Sequence, residues 1–170
     1  MNPLLKDIFS LAKQIVTLGN ERGLLIGTAE SCTGGLIGGA ITAIPGSSGC
    51  FKGGVTAYDN AVKTKLLGVP TDIIETHGAV SSPVAEAMAL GALDALGVDI
   101  ALSITGIAGP GGGSADKPIG TVWMSIAGHT ENGPHVGSAF YEFGDIGRNR
   151  VRDQACREGL KMLNQFLETA

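Results

Sequence analysis

Apolar residues at Leu4, Leu5, Ile8, Leu11, Ala12, Ile15 and Val16 recur at three- and four-residue intervals, the spacing of one helical face. The pattern predicts a helix over 4–22, closed by Gly19 and Gly23. The continuous run Leu24-Leu25-Ile26-Gly27-Thr28-Ala29 predicts a strand buried on both faces. Residues 36–44 return to helical spacing and stop at Pro45-Gly46. Residues 53–58 predict a strand, 60–67 a short helix with Asn60 as its N-cap, and 71–76 another short helix. Over 83–96 the signals agree: Ser82 caps, Pro83 takes the first helical position and Gly97 ends the helix. Residues 98–105 read as an apolar strand that runs into a glycine-rich loop over 106–113. Residues 119–127 and 135–143 alternate as two strands joined by a turn at Glu131-Asn132-Gly133-Pro134, an antiparallel hairpin. A last helix covers 148–167.

Helices and strands alternate first and the hairpin comes last. That order predicts an α/β fold, a three-layer α/β/α sandwich with a mixed, mostly parallel sheet and a late antiparallel hairpin. At 170 residues, one domain over 1–170 is expected. Composition agrees: 44% hydrophobic against 16% charged residues excludes a disordered chain. The 27 glycines are roughly twice normal usage without a Gly-x-y period, which points to backbone approached closely by something else. The net charge of −4 leaves no basic footprint for nucleic acid. Three cysteines without paired spacing, Cys32, Cys50 and Cys156, read as reduced thiols in a cytoplasmic protein. With three histidines in no ligand-spaced cluster, no metal and no cofactor are expected. The first residues are too charged for a signal peptide, and no apolar run has membrane-span length.

In open α/β sheets ligands bind beyond the carboxyl ends of strands, and three places qualify. Glu30-Ser31-Cys32-Thr33-Gly34-Gly35 ends a strand and opens a helix. Ser31 or Thr33 there is either a helix cap or a hydroxyl held against free backbone N–H groups that receive an oxyanion. Lys63, one turn into the helix after Tyr58-Asp59-Asn60, is either a solvated surface lysine or a base whose pKa is lowered by the helix dipole and burial. A lysine of the second kind serves a serine nucleophile. Thr105-Gly106-Ile107-Ala108-Gly109-Pro110-Gly111-Gly112-Gly113 is either a flexible loop or a cradle of N–H groups around a phosphate. Cys32 is read as a buried thiol, and no chemistry is placed on His77, His129 or His135.

At these residues the sequence resembles a known family. Ala29-Glu30-Ser31-Cys32-Thr33-Gly34-Gly35, Pro45-Gly46-Ser47-Ser48, Phe51-Lys52-Gly53-Gly54, Tyr58-Asp59-Asn60 with Lys63, His77-Gly78-Ala79-Val80-Ser81 and Thr105 through Gly112 resemble the C-terminal domain of the competence/damage-inducible CinA proteins. The stand-alone members of that family are nicotinamide-nucleotide amidohydrolases (PncC). The resemblance covers about 5–165. It implies hydrolysis of the carboxamide of nicotinamide mononucleotide to nicotinate mononucleotide and ammonia, a step of pyridine nucleotide salvage. It implies Ser31 as nucleophile, with Tyr58 and Lys63 as its activating partners. Within the matching motifs the substrate-binding positions are Glu30, Thr33, Gly34, Gly35, Gly46, Ser47, Gly53, Thr105, Gly106, Ala108 and Gly109. The glycine loop is expected to hold ribose or phosphate, and amides near Thr33 and Gly34 the oxyanion. Family members with a molybdopterin-binding-like N-terminal domain carry a second, pyrophosphatase activity there, which is not expected of these 170 residues. The family's Gly-Asp-Arg pattern is interrupted here as Gly144-Asp145-Ile146-Gly147-Arg148, so no ligand role is assigned to Arg148. A noncatalytic nucleotide-binding or interaction module is the competing expectation. The partner is the small-molecule substrate, with no nucleic acid, no membrane, and a homo-oligomer whose first guess is a dimer.

Overall fold

A computed structural model describes residues 3–130 and 133–169. The elements run α1 (Pro3–Arg22), β1 (Ile26–Glu30), α2 (Leu36–Thr42), a 3-10 turn (Ser47–Gly49), β2 (Phe51–Thr56), α3 (Asn60–Leu67) and α4 (Thr71–His77). They continue with α5 (Ser82–Leu96), β3 (Ile100–Gly106), β4 (Thr121–Thr130), β5 (Gly133–Glu142) and α6 (Arg148–Thr169). The sheet order is β2-β1-β3-β4-β5. β2, β1 and β3 pair in parallel, and β4 runs antiparallel to both neighbours. Four strands therefore point one way, as a mostly parallel sheet requires, although two of the four pairings are antiparallel.

Strand alternation separates two cores. On one face Ile100, Leu102 and Ile104 of β3 and Val122, Met124 and Ile126 of β4 meet Ile15 of α1, Ile37 and Ile41 of α2, and Leu160 and Leu163 of α6. On the other, Ala29 and Ala101 meet Val84, Met88 and Ala92 of α5 and Leu67 of α3. Small side chains on this second face let α5 lie close, and Ser103 Oγ donates to the Ala85 carbonyl at 2.5 Å. Gly91 of α5 faces the main chain of Leu67, with no room for a Cβ. That crossing seats α3, and with it Lys63, against the sheet.

Three local expectations are corrected. Asp59, not Asn60, caps α3: its carboxylate accepts from the Ala61 N–H at 2.8 Å. Ser82 is the first residue of α5 rather than its cap; Ser81 holds the cap position, and its hydroxyl donates to the Gly78 carbonyl instead. Gly133 and Pro134 already belong to β5 and pair with Thr130 and His129, while Glu131 and Asn132 of the expected turn lie outside the described residues. Among the described residues no helix is long and apolar enough to cross a membrane.

Candidate functional site

β1 ends at Glu30 in the middle of the parallel strands, and the chain must turn there to enter α2. Ser31 is held at this corner by its N–H donating to the Ile104 carbonyl of β3 at 2.9 Å. Gly34 (φ 63°) and Gly35 (φ 98°) make the turn in left-handed backbone that a side chain would oppose. The turn is stiffened by Glu30, only 2% exposed. One carboxylate oxygen accepts from Thr33 Oγ1 (2.7 Å), Gly35 N (3.0 Å) and Ile37 N (3.1 Å), the other from Gly38 N (2.8 Å) and, at 3.4 Å, Thr28 Oγ1. Such a carboxylate neutralises the amino end of α2 and satisfies its free N–H groups.

The side chains of Glu30 and Thr33, two of the expected substrate-binding positions, are engaged with each other and with the amides of α2, and so build the turn. The same bonds occupy the amide of Gly35, and the Gly34 amide donates to the Ser31 carbonyl at 3.1 Å. The N–H groups left without an oxygen acceptor are those of Cys32 and Thr33, one position earlier than expected. They lie beside the Cys32 sulfur, whose thiol burial pushes up to about 12.

Lys63 reaches into this corner from α3. It is 1% exposed, and its Nζ donates to Ser31 Oγ at 3.2 Å, to the Ala57 carbonyl at 2.9 Å and to the Tyr58 carbonyl at 3.3 Å. Of the two readings of Lys63, the solvated surface residue is excluded by this burial. Burial drives its pKa below 10.5, opposed by the charge of Asp59. The three contacts have a consequence for the neutral amine. Two carbonyls take its two N–H bonds, and the lone pair is left facing the Ser31 hydroxyl. That is the arrangement a base needs to withdraw a serine proton.

Ser31, Lys63, Thr105, Gly106 and Ala108 share a cavity of about 180 Å³ with Cys32, Tyr58, Asn60, Ala79, Val80 and Arg148. Thr105 is buried, its hydroxyl donating to the Ala79 carbonyl at 2.8 Å, so it shapes the wall. Tyr58 is 61% exposed. It meets Lys63 through its main-chain carbonyl, while its hydroxyl accepts from Arg148 Nη2 at 3.0 Å. The expected Tyr58–Lys63 pair is therefore a backbone contact. Arg148 also donates to the Gly109 carbonyl at 2.7 Å, and so ties the β2–α3 connection to the glycine loop across the cavity mouth.

Other expected positions are not brought here. Gly46 and Ser47 precede β2, and Gly53 pairs with Gly27 near the amino end of the parallel strands. Gly53 lies three residues, about 10 Å, below the carboxyl end. These three residues shape the opposite end of the sheet, where Asn20 Nδ2 donates to the Gly46 carbonyl at 3.1 Å. The glycine loop divides: Gly106 and Ala108 line the cavity, whereas Gly111, Gly112 and Gly113 border a separate surface hollow with Glu142 and Asp145. Two carboxylates and no basic side chain make that hollow a poor phosphate site. Sequence reasoning missed Asn60, Ala79, Val80 and Arg148 as lining residues. Asn60 had a readable signal, since it stands three residues before Lys63 and shares its helical face. Among the described residues no group of three or more His, Cys, Asp or Glu could hold a metal ion.

The fold and its corner define an α/β domain with a buried serine–lysine pair at the carboxyl end of its parallel strands. The chain belongs to the CinA C-terminal domain family, whose model matches residues 8–167. It is 49% identical to a CinA-like protein of Chlorobaculum tepidum over 89% of this chain and 36% of that protein. It is 46% identical to a CinA-like protein of Synechocystis over 97% of this chain and 39% of that one. The chain thus spans little more than a third of the curated relatives it matches. Among solved structures it is similar to the competence/damage inducible protein CihA of Agrobacterium tumefaciens, with TM-score 0.90, 45% identity and 96% of each chain covered. A CinA superfamily protein of Escherichia coli gives TM-score 0.87 and 31% identity, over 95% of this chain and 91% of that one.

Proposed function

We propose that the chain is a nicotinamide-nucleotide amidohydrolase that releases ammonia from nicotinamide mononucleotide through a serine acyl-enzyme. The observation that carries the reading is the buried Lys63 Nζ, 3.2 Å from Ser31 Oγ and seated on two carbonyls. Neutral Lys63 accepts the Ser31 proton as Oγ attacks the amide carbon. The N–H groups of Cys32 and Thr33 receive the oxyanion, an interaction worth about 3–4 kcal/mol per donor. Protonated Lys63 passes its proton to the leaving ammonia, and water then hydrolyses the ester with Lys63 again as base. A cavity of about 180 Å³ suits a pyridine ring with its carboxamide, since roughly 150 Å³ holds benzene. The ribose phosphate extends to the mouth, where Arg148 supplies the cation that the glycine loop lacks.

The test is ammonia release from nicotinamide mononucleotide by the wild type and by Ser31→Ala and Lys63→Ala. The reading expects release by the wild type alone. A wild type that binds the nucleotide and releases nothing is a binding module instead.

A further inference from the structure

The turn that carries Ser31 is held from two sides by groups of opposite charge. Glu30 gathers its N–H and hydroxyl donors from within. From α6, Arg152 takes its acceptors: Nε donates to the Cys32 carbonyl at 3.2 Å and Nη2 to the Thr33 carbonyl at 3.0 Å. The guanidinium is a planar fork matched here to two successive carbonyls. We propose that Arg152 is a positioning residue that sets the Thr33 amide, an oxyanion donor of the Ser31 turn, through the carbonyl of the same peptide, an inference that rests on the acyl-transfer reading above. In a trans peptide the C=O and N–H point in opposite directions. Drawing the Cys32 carbonyl toward α6 therefore turns the Thr33 N–H away from α6. A cationic partner on that carbonyl also polarises the peptide, which makes its N–H a stronger donor. Arg152 does not line the cavity, so its effect runs through the turn and falls on the transition state, not on substrate binding.

The experiment compares Arg152→Gln, Arg152→Lys and the exposed control Arg150→Ala in the full chain. It reads kcat and KM for nicotinamide mononucleotide, the rate of Ser31 labelling by a fluorophosphonate followed by intact mass, and the urea midpoint. Loss of one oxyanion donor costs on the order of 100-fold in kcat, so Arg152→Gln should lower kcat by about 30-fold or more with KM within about threefold. Labelling should slow by about tenfold or more, and millimolar methylguanidinium should restore part of it. Arg152→Lys, which keeps the charge without the fork, should fall between the two, and Arg150→Ala should match the wild type. A folded Arg152→Gln with kcat and labelling within threefold of wild type overturns the proposal, as does a rise in KM that accounts for the loss. If Arg152→Gln does not fold, Arg152→Lys with wild-type kcat and labelling overturns it. If the wild type releases no ammonia yet labels at Ser31, the amidase reading fails while the labelling comparison still decides the role of Arg152. A wild type inert in both overturns both.

Discussion

Replacing Glu30 by Gln exchanges one oxygen of a saturated, buried carboxylate for an amino group that can only donate. If the remaining oxygen serves Thr33, Gly35 and Ile37, the new NH2 faces the N–H of Gly38, which loses its 2.8 Å bond. The reverse orientation leaves the Gly35 and Ile37 amides facing a donor, which is worse. An unsatisfied buried N–H costs about 1–3 kcal/mol. Three charge-assisted bonds become neutral, at about 1 kcal/mol each, and the amino end of α2 loses its counter-charge, about 1 kcal/mol. Against these losses, several kcal/mol of carboxylate desolvation are relieved. The net destabilisation is about 3 kcal/mol. With a urea slope of about 2 kcal/mol/M, the midpoint should fall by about 1.5 M. Urea titration at pH 7 followed by the fluorescence of Trp123, the one tryptophan, measures it. Glu86→Gln is the comparison: its carboxylate accepts only from the hydroxyls of Ser82 and Ser138, which can rotate, so it should cost under about 1 kcal/mol. A Glu30→Gln midpoint within about 0.3 M of wild type would refute the reasoning that this carboxylate organises the turn.

Lys63→Met should abolish ammonia release, by about 1000-fold or more. Because burial lowers the Lys63 pKa below 10.5, the unfolded chain binds more protons in the window between the folded value and 10.5. Stability of the wild type should therefore rise with pH across that window relative to Lys63→Met; parallel urea midpoints for the two proteins over that range would contradict the burial argument. Tyr58→Phe should change kcat less than about tenfold, because the hydroxyl meets Arg148 and not Ser31 or Lys63; steady-state kinetics decide, and a loss as large as that of Lys63→Met would return the phenol to the proton path. Gly106→Ala places a Cβ 2.7 Å from Val122 Cγ2 and 3.0 Å from both Cys32 Sγ and the Thr121 carbonyl. It should cost about 1–3 kcal/mol in thermal or urea unfolding and reduce turnover through the displaced Ser31 turn.

Much of the fold was readable in the chain because it rests on local periodicity and punctuation. The 3.6-residue stripe of α1, the Pro83 and Gly97 limits of α5 and the alternation of the late hairpin are properties of neighbouring residues, and they hold to within a few positions. The corner at Ser31 was readable for the same reason, since an apolar strand followed by Ser-Cys-Thr-Gly-Gly can only turn. Which cap serves α3 was not, because Asp59 and Asn60 are both competent and the choice depends on the angle at which the chain leaves β2.

Tertiary structure decided which of these residues meet. Lys63 by itself reads first as a solvated cation, with a buried base as the alternative, until α5, crossing α3 at Gly91, seats it against the sheet. Gly46, Ser47 and Gly53 belong to motifs as well matched as that of Ser31. A motif does not say at which end of a strand its residues emerge, and parallel pairing of β1 with β2 puts them at the far end. Glu30 at a strand end resembles a ligand contact until the donors of α2 fold back on it. Arg148 lies 90 residues from Tyr58 and 39 from Gly109, and Arg152 about 120 from the turn it binds; only the packing of α6 on the sheet brings them there. Local spacing determined the elements and the nucleophile's corner. Long-range packing determined the base, its loss of solvent and the charges that surround it, because burial is a property of neighbours the sequence does not name.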